Sequence, residues 1–254
     1  MNKNNERSSR AEQTAEWNLK SPQLTQPSHP LWWIAILLLI NLLIWSWGLS
    51  IFAMVGLLIS LWIGANRLQR HRRYQRQQWI EQYSFPDQLW QRVEHPLSAK
   101  EKRLIERGLK DFFLIYSMTH QKIAMPSQAV DVLWHALILD TQAYHAFCQQ
   151  AFGKMLHHIP SERMLEERVD DAALCLAWQG ACRLDTMDPH SSTQLPRLFA
   201  IDAWLGWPSA VAYDTKDLTA RYRHWRATQP SGHAEISDGD ADTSGCGGGC
   251  GGGD

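Results

Sequence analysis

The chain has 254 residues, with 25 Lys+Arg against 26 Asp+Glu and a formal charge of −1. That balance offers no electrostatic basis for nucleic-acid binding, so no nucleic-acid partner is expected. A hydrophobic content of 44% excludes global disorder and collagen-like structure, and five cysteines are too sparse and too weighted to the C-terminus for a disulfide framework.

Residues 1–30 are polar, rich in Ser, Gln, Asn and Pro, and read as a disordered arm. Residues 31–65 then contain no Asp, Glu, Lys, Arg or His. A continuous helix over them would be roughly 52 Å long against about 30 Å of hydrocarbon, too long for one straight span. The expectation is a transmembrane two-helix hairpin turning near Gly48-Leu49-Ser50, which places Trp32, Trp33, Trp45, Trp47 and Trp62 at the membrane interface. Gly56, Ser60 and Gly64 recur at i, i+4, i+8 as a face that another helix can approach closely, with Asn41 placed to hydrogen-bond across the pair. Arg67, Arg70, Arg72, Arg73 and Arg76 follow, with no acid before Glu81, which predicts a cell (inner) membrane protein with its remaining domain facing the cytoplasm and membrane lipid as a partner. Residues 66–84 read as a basic juxtamembrane helix.

Residues 85–228 read as an all-α cytosolic domain. Ser98 and Glu101 have the spacing of a capping box ahead of a helix over 99–119. Pro126-Ser127 opens a second helix, 128–152, free of Pro and Gly; Pro160-Ser161 opens a third, 162–183. A short helix follows Pro196 and stops near Gly206, and a last one spans 215–226. Residues 229–254 form an acidic Gly/Cys-rich tail from which no core can be built.

The densest chemistry lies in 125–160. On one helix, Asp131, Trp134, His135, Thr141, His145 and Cys148 share an arc, and Asp131 and His135 are one turn apart, so they can co-ligate a metal or pair with each other. If the chain turns back after Gly153, His158 approaches His135, and Cys148 adds a thiolate, giving a mixed N/S/O set suited to a zinc-like metal ion. The plain alternative is that these histidines satisfy one another in the core; there is neither HExxH nor a CxxC pair of zinc-finger spacing. Cys175 and Cys182, seven residues apart on a helix, are too distant for a disulfide and read as core. Cys246 and Cys250, with Asp238, Asp240 and Asp242 nearby, are a second candidate metal set, weighed against a plain solvating tail.

The residues Pro126-Ser127, Val130-Asp131, Leu133-Trp134-His135, Ile138-Leu139, Thr141, Tyr144, Phe147-Cys148, Phe152-Gly153 and His158-Ile159-Pro160 resemble the glycine-rich domain-containing protein-like family, in particular its bacterial membrane relatives. The resemblance covers roughly 95–165, together with the style of the tail, and implies no particular activity. It also implies a second histidine two positions after His135, where this chain has Leu137. Taken together, the residues favour a membrane-anchored interaction module with a protein partner and no catalytic residues. The alternative is a metal-binding protein or metal-dependent enzyme centred on His135 and His158.

Overall fold

The computed structural model describes residues 31–46, 50–158, 170–208 and 210–229. The expectations for the arm 1–30, for Trp47 and the turn at Gly48-Leu49, for the start of the 162–183 helix, and for Cys246 and Cys250 lie outside those residues. Among the described residues every regular element is helical: α1 (Leu31–Ser46), α2 (Ser50–Gln82), a 3-10 turn (Asp87–Arg92), α3 (Ala99–Thr119), α4 (Gln128–Leu139), α5 (Thr141–Ala151), α6 (Asp170–Leu184), α7 (Arg197–Leu205) and α8 (Thr215–Thr228).

The apolar run is divided between two helices that pack on each other. Asn41 donates to Ser60 Oγ at 3.0 Å and to Leu37 O at 2.8 Å, while Ser60 donates to Gly56 O at 2.7 Å. A Cβ at Gly56 would lie 2.4 Å from Asn41 Oδ1, so glycine is what lets the two helices approach there. The membrane expectation is corrected, however, because no helix among the described residues is long and apolar enough to cross a membrane. The uncharged run 31–65 is continuous in sequence but not as a helix: α1 has only 16 residues, about 24 Å at 1.5 Å per residue. In α2 the apolar stretch gives way to Asn66 and Arg67 after a similar length, and about 20 residues are needed to span the hydrocarbon. The transmembrane segment, the inner-membrane location and the cytoplasmic orientation drawn from the arginines are withdrawn with it. Of the proposed interface residues, Trp62 is exposed on α2, and Arg67, Arg70, Arg72, Arg73 and Arg76 lie along the same helix.

α2 does not stop at a boundary but continues into the domain. Ile80 is fully buried, and Trp79 and Tyr83 pack on Phe147 with ring centroids 5.3 and 4.9 Å apart. α3 is the central element, touching α2, α4, α6 and α7. It starts with the expected capping box, in which Glu101 N donates to Ser98 Oγ and Ser98 N to Glu101 Oε2. It ends at His120 in the left-handed region, φ 50°. Gly108 sits where α3 meets α7 and α4; a Cβ there would lie 2.4 Å from Ile201 and 2.7 Å from Val130.

A buried ionic network that composition cannot announce holds α2, α3 and α7 together. Arg107 donates to Glu81 through both terminal nitrogens and to Asp111 at 2.8 Å. Arg197 donates to the other side of Asp111 at 2.6 Å, and its backbone N–H to Asp185 at 2.5 Å. Arg107, Asp111 and Arg197 are all buried, so each charge depends on its partners: removing one would strand the others in a low-dielectric interior.

Candidate metal centre

The expected 128–152 helix is two helices. Asp140 (φ −89°, ψ 77°) ends α4 and caps α5, accepting from Ala143 N at 3.1 Å. A short carboxylate can bond the backbone ahead of it, so it competes with helix continuation even where Pro and Gly are absent. The single arc drawn from Asp131 to Cys148 is therefore broken, and His145 is exposed on α5, away from Asp131 and His135.

The first turn of α4 is held from another helix. Ser127 accepts from Val130 N at 3.2 Å, and the buried Asp202 of α7 accepts from Ser127 Oγ at 2.5 Å, Gln128 N at 2.7 Å and Ala129 N at 3.1 Å. These bonds satisfy donors that a helix start leaves orphaned and fix the turn from which Asp131 projects. From the other side, Gly153 (φ 74°) turns the chain after α5, its N–H donating to the carbonyls of Cys148 and Gln149. The returning strap is pinned by Tyr144, which accepts from Trp134 Nε1 at 3.2 Å and donates to Leu156 O at 2.6 Å. Two residues later comes His158.

Asp131, His135 and His158 meet there. One carboxylate oxygen and one ring nitrogen from each histidine all lie within 4.8 Å of one another. His135 Nε2 is 2.8 Å from His158 Nε2, His135 Nδ1 is 3.5 Å from Asp131 Oδ2, and His158 Nδ1 is 3.9 Å from Asp131 Oδ1. These three spacings use both nitrogens of each histidine, and one ion takes a single nitrogen from each, so the imidazoles must rotate for the ligand atoms to close from within 4.8 Å to the about 3.0–3.4 Å expected round a common ion. Both Asp131 Oδ1 and His158 Nδ1 are buried with no hydrogen-bond partner. Burial raises the Asp131 pKa, opposed by the two imidazoles, and lowers that of His158, opposed by Asp131. A histidine whose pKa falls below its usual range presents a neutral ring at pH 7, the form that ligates a metal. His158 also stands edge-on to Trp134, ring centroids 4.4 Å apart, which limits its rotation.

Cys148 is not in this cluster. Its thiol is buried next to Tyr144 and the Leu156 backbone, and burial pushes its pKa up, away from the thiolate form. Cys175 and Cys182 are free thiols in the core, pushed up by burial to about 11 and about 12. Asp131 and His158, but not His135, line a cleft of about 670 Å³ together with Phe112, Trp134 and Tyr213. Among the other lining residues, Pro126, Ser127 and Trp134 stand out in the sequence, whereas His120, Lys154, Val211 and Tyr213 carry no motif that points to a site.

The sequence model of the UCP032817-like family matches residues 75–233, more than half of the chain, from the end of α2 past α8. This corrects the resemblance to the glycine-rich domain-containing protein-like family. Many residues that carried it have plain structural roles here: Leu133, Trp134, Phe147 and Phe152 are core, and Ser127 is a helix cap. No curated protein and no solved structure matches the chain.

Proposed function

The chain belongs to the UCP032817-like family, and we propose that its helical domain is a metal-dependent enzyme holding one divalent transition-metal ion on Asp131, His135 and His158. One observation carries this reading. Two buried polar atoms 3.9 Å apart, Asp131 Oδ1 and His158 Nδ1, have no hydrogen-bond partner, and a cation between them satisfies both. Without it, leaving such groups unpaired costs roughly 1–3 kcal/mol each.

Two imidazoles and one carboxylate suit zinc or ferrous iron, and three protein ligands leave coordination positions open for water or substrate. Asp131 and His158 also line the cleft, so those open positions lie within reach of a small molecule. When bound, the ion supplies Lewis-acid polarisation or a water activated at neutral pH. The chain's own part is to position the ligands: Asp202 fixes the first turn of α4, and the Trp134–Tyr144–Leu156 chain of hydrogen bonds fixes the strap bearing His158. His135 is the most exposed of the three ligands and would be the last to engage.

A second reading, an interaction module, is supported by the exposed apolar side chains of the hairpin, Leu42, Leu43 and Phe52 among them. It concerns a different part of the molecule and does not compete for the triad. The experiment that tests the metal reading is a thermal melt of the full-length chain with zinc or ferrous ion against chelator. Metal raises the midpoint in the wild type, because an ion bound to the native state alone stabilises it, and does so far less in His158→Ala. Equal midpoints with and without metal would refute it.

A further inference from the structure

α2 carries one face into the domain. Arg76, Trp79, Ile80 and Tyr83 recur at i, i+3, i+4 and i+7, the spacing of residues on one side of a helix. Ile80 is fully buried, Trp79 and Tyr83 pack on Phe147 of α5, and Arg76 reaches the end of α5. A helix end leaves its last carbonyls without intrahelical partners, and a cation beside them suits the negative end of the dipole. Arg76 supplies both a donor and a charge, donating through Nη1 to Phe152 O at 2.9 Å.

Phe152 is therefore held at its carbonyl by α2 and at its ring by α3, where Phe113 and Tyr116 stand edge-on with centroids 5.8 and 4.9 Å away. The next residue is Gly153, φ 74°, and the guanidinium fills the space outside it: a Cβ there would lie 2.6 Å from Arg76 Nη2. The strap that leaves this turn is caught again by Tyr144, which donates to Leu156 O at 2.6 Å, and it delivers His158 two residues on. A strap running from Phe152 to His158 could reach about 20 Å if extended, so the two fixed points, at Phe152 and at Leu156, confine the imidazole to the neighbourhood of Asp131.

We infer that Arg76 is a positioning residue for the metal site: itself no ligand, it sets from α2 the turn that brings His158 to Asp131 and His135. This rests on the metal reading for the ion, whereas the hold on the turn stands without it. The sign of the effect separates position from charge. A guanidinium repels a dication, so removing its charge alone strengthens metal binding, while losing the anchor weakens it.

The test is zinc titration of the full-length chain against a competing chelator, with folding checked by circular dichroism. Arg76→Met is expected to bind zinc about tenfold more weakly than the wild type, the scale of losing an outer partner of a metal ligand. Arg76→Gln keeps a donor without the charge and should fall between the two; it also carries the test if Arg76→Met fails to fold. Zinc affinity unchanged or raised in both variants would overturn the inference. A second readout needs no metal. The amides of Phe152 and Gly153 donate to Cys148 O, and in excess chelator their hydrogen exchange should be about tenfold faster in Arg76→Met, as loss of a hydrogen bond from a charged group implies, with the amides of α3 unchanged. Equal exchange in variant and wild type would also overturn the inference. If the wild type takes up no zinc, the metal reading fails and the exchange measurement alone decides whether Arg76 sets the turn.

Discussion

Replacing Asp202 by Ala should be among the most costly single changes in the domain, although the residue lies on a different helix from the triad. The carboxylate is 3% exposed and accepts three hydrogen bonds, from Ser127 Oγ, Gln128 N and Ala129 N. Gln128 is exposed, so water can replace its bond at little cost. Ser127 and Ala129 are each 1% exposed, and their donors would be left unpaired. Hydrogen bonds to charged groups are each worth about 1.5–3 kcal/mol and a lost cap about 1 kcal/mol, so the two buried donors set the loss at about 3–5 kcal/mol. The assay is urea denaturation of the full-length chain at pH 7, read as a lower midpoint at unchanged slope. Asp202→Asn keeps an acceptor oxygen and should lose roughly half as much. A loss below about 1 kcal/mol for Asp202→Ala would refute the argument that this carboxylate fixes the start of α4.

Two further outcomes follow from packing and titration. Gly108→Ala forces a methyl against Ile201 and Val130 at 2.4 and 2.7 Å; the overpacking cost of about 1–3 kcal/mol outweighs the gain of up to about 1 kcal/mol in helix propensity, and differential scanning calorimetry should show a lower melting temperature. His120 has a folded pKa below its ordinary 6.5, through burial and then through Arg73, Lys154 and Arg76, with Tyr116 packed against its ring. The unfolded chain therefore binds the proton first, and the stability present above pH 6.5 is lost as pH falls from there through the depressed folded value. His120→Asn, which tolerates the left-handed backbone, should flatten that part of the pH profile relative to wild type; an unchanged profile in urea midpoints would show that the imidazole contributes nothing there.

Local signals were legible wherever the backbone itself demands a residue type. The Ser98–Glu101 capping box, the Pro196 start and Gly206 stop of α7, and α8 over Thr215–Thr228 follow from caps and periodicity. The break at Asp140 carries neither Pro nor Gly, and its signal is the capping chemistry of Asp140-Thr141. The ionic network was invisible for a different reason. Arg107 and Asp111 are an i, i+4 pair, but Glu81, Asp185 and Arg197 lie far from them in sequence, and such charges read as surface until packing buries them together. The hairpin misled on length, since the absence of charge from 31 to 65 says nothing of where a helix ends.

The candidate site divides in the same way. Asp131 and His135 were legible as an i, i+4 pair on a helix, and His158 was reachable only through the turn at Gly153. That Asp131 and His158 each end with a buried atom lacking a hydrogen-bond partner is a product of tertiary packing.

Native mass spectrometry of the full-length chain, paired with elemental analysis before and after chelation, tests the central claim most directly. The account predicts one divalent transition-metal ion per chain, removed by chelator, restored on metal addition, and absent from folded Asp131→Ala and His158→Ala chains. A folded wild-type chain that takes up no stoichiometric ion, or whose ion survives both substitutions, would contradict it.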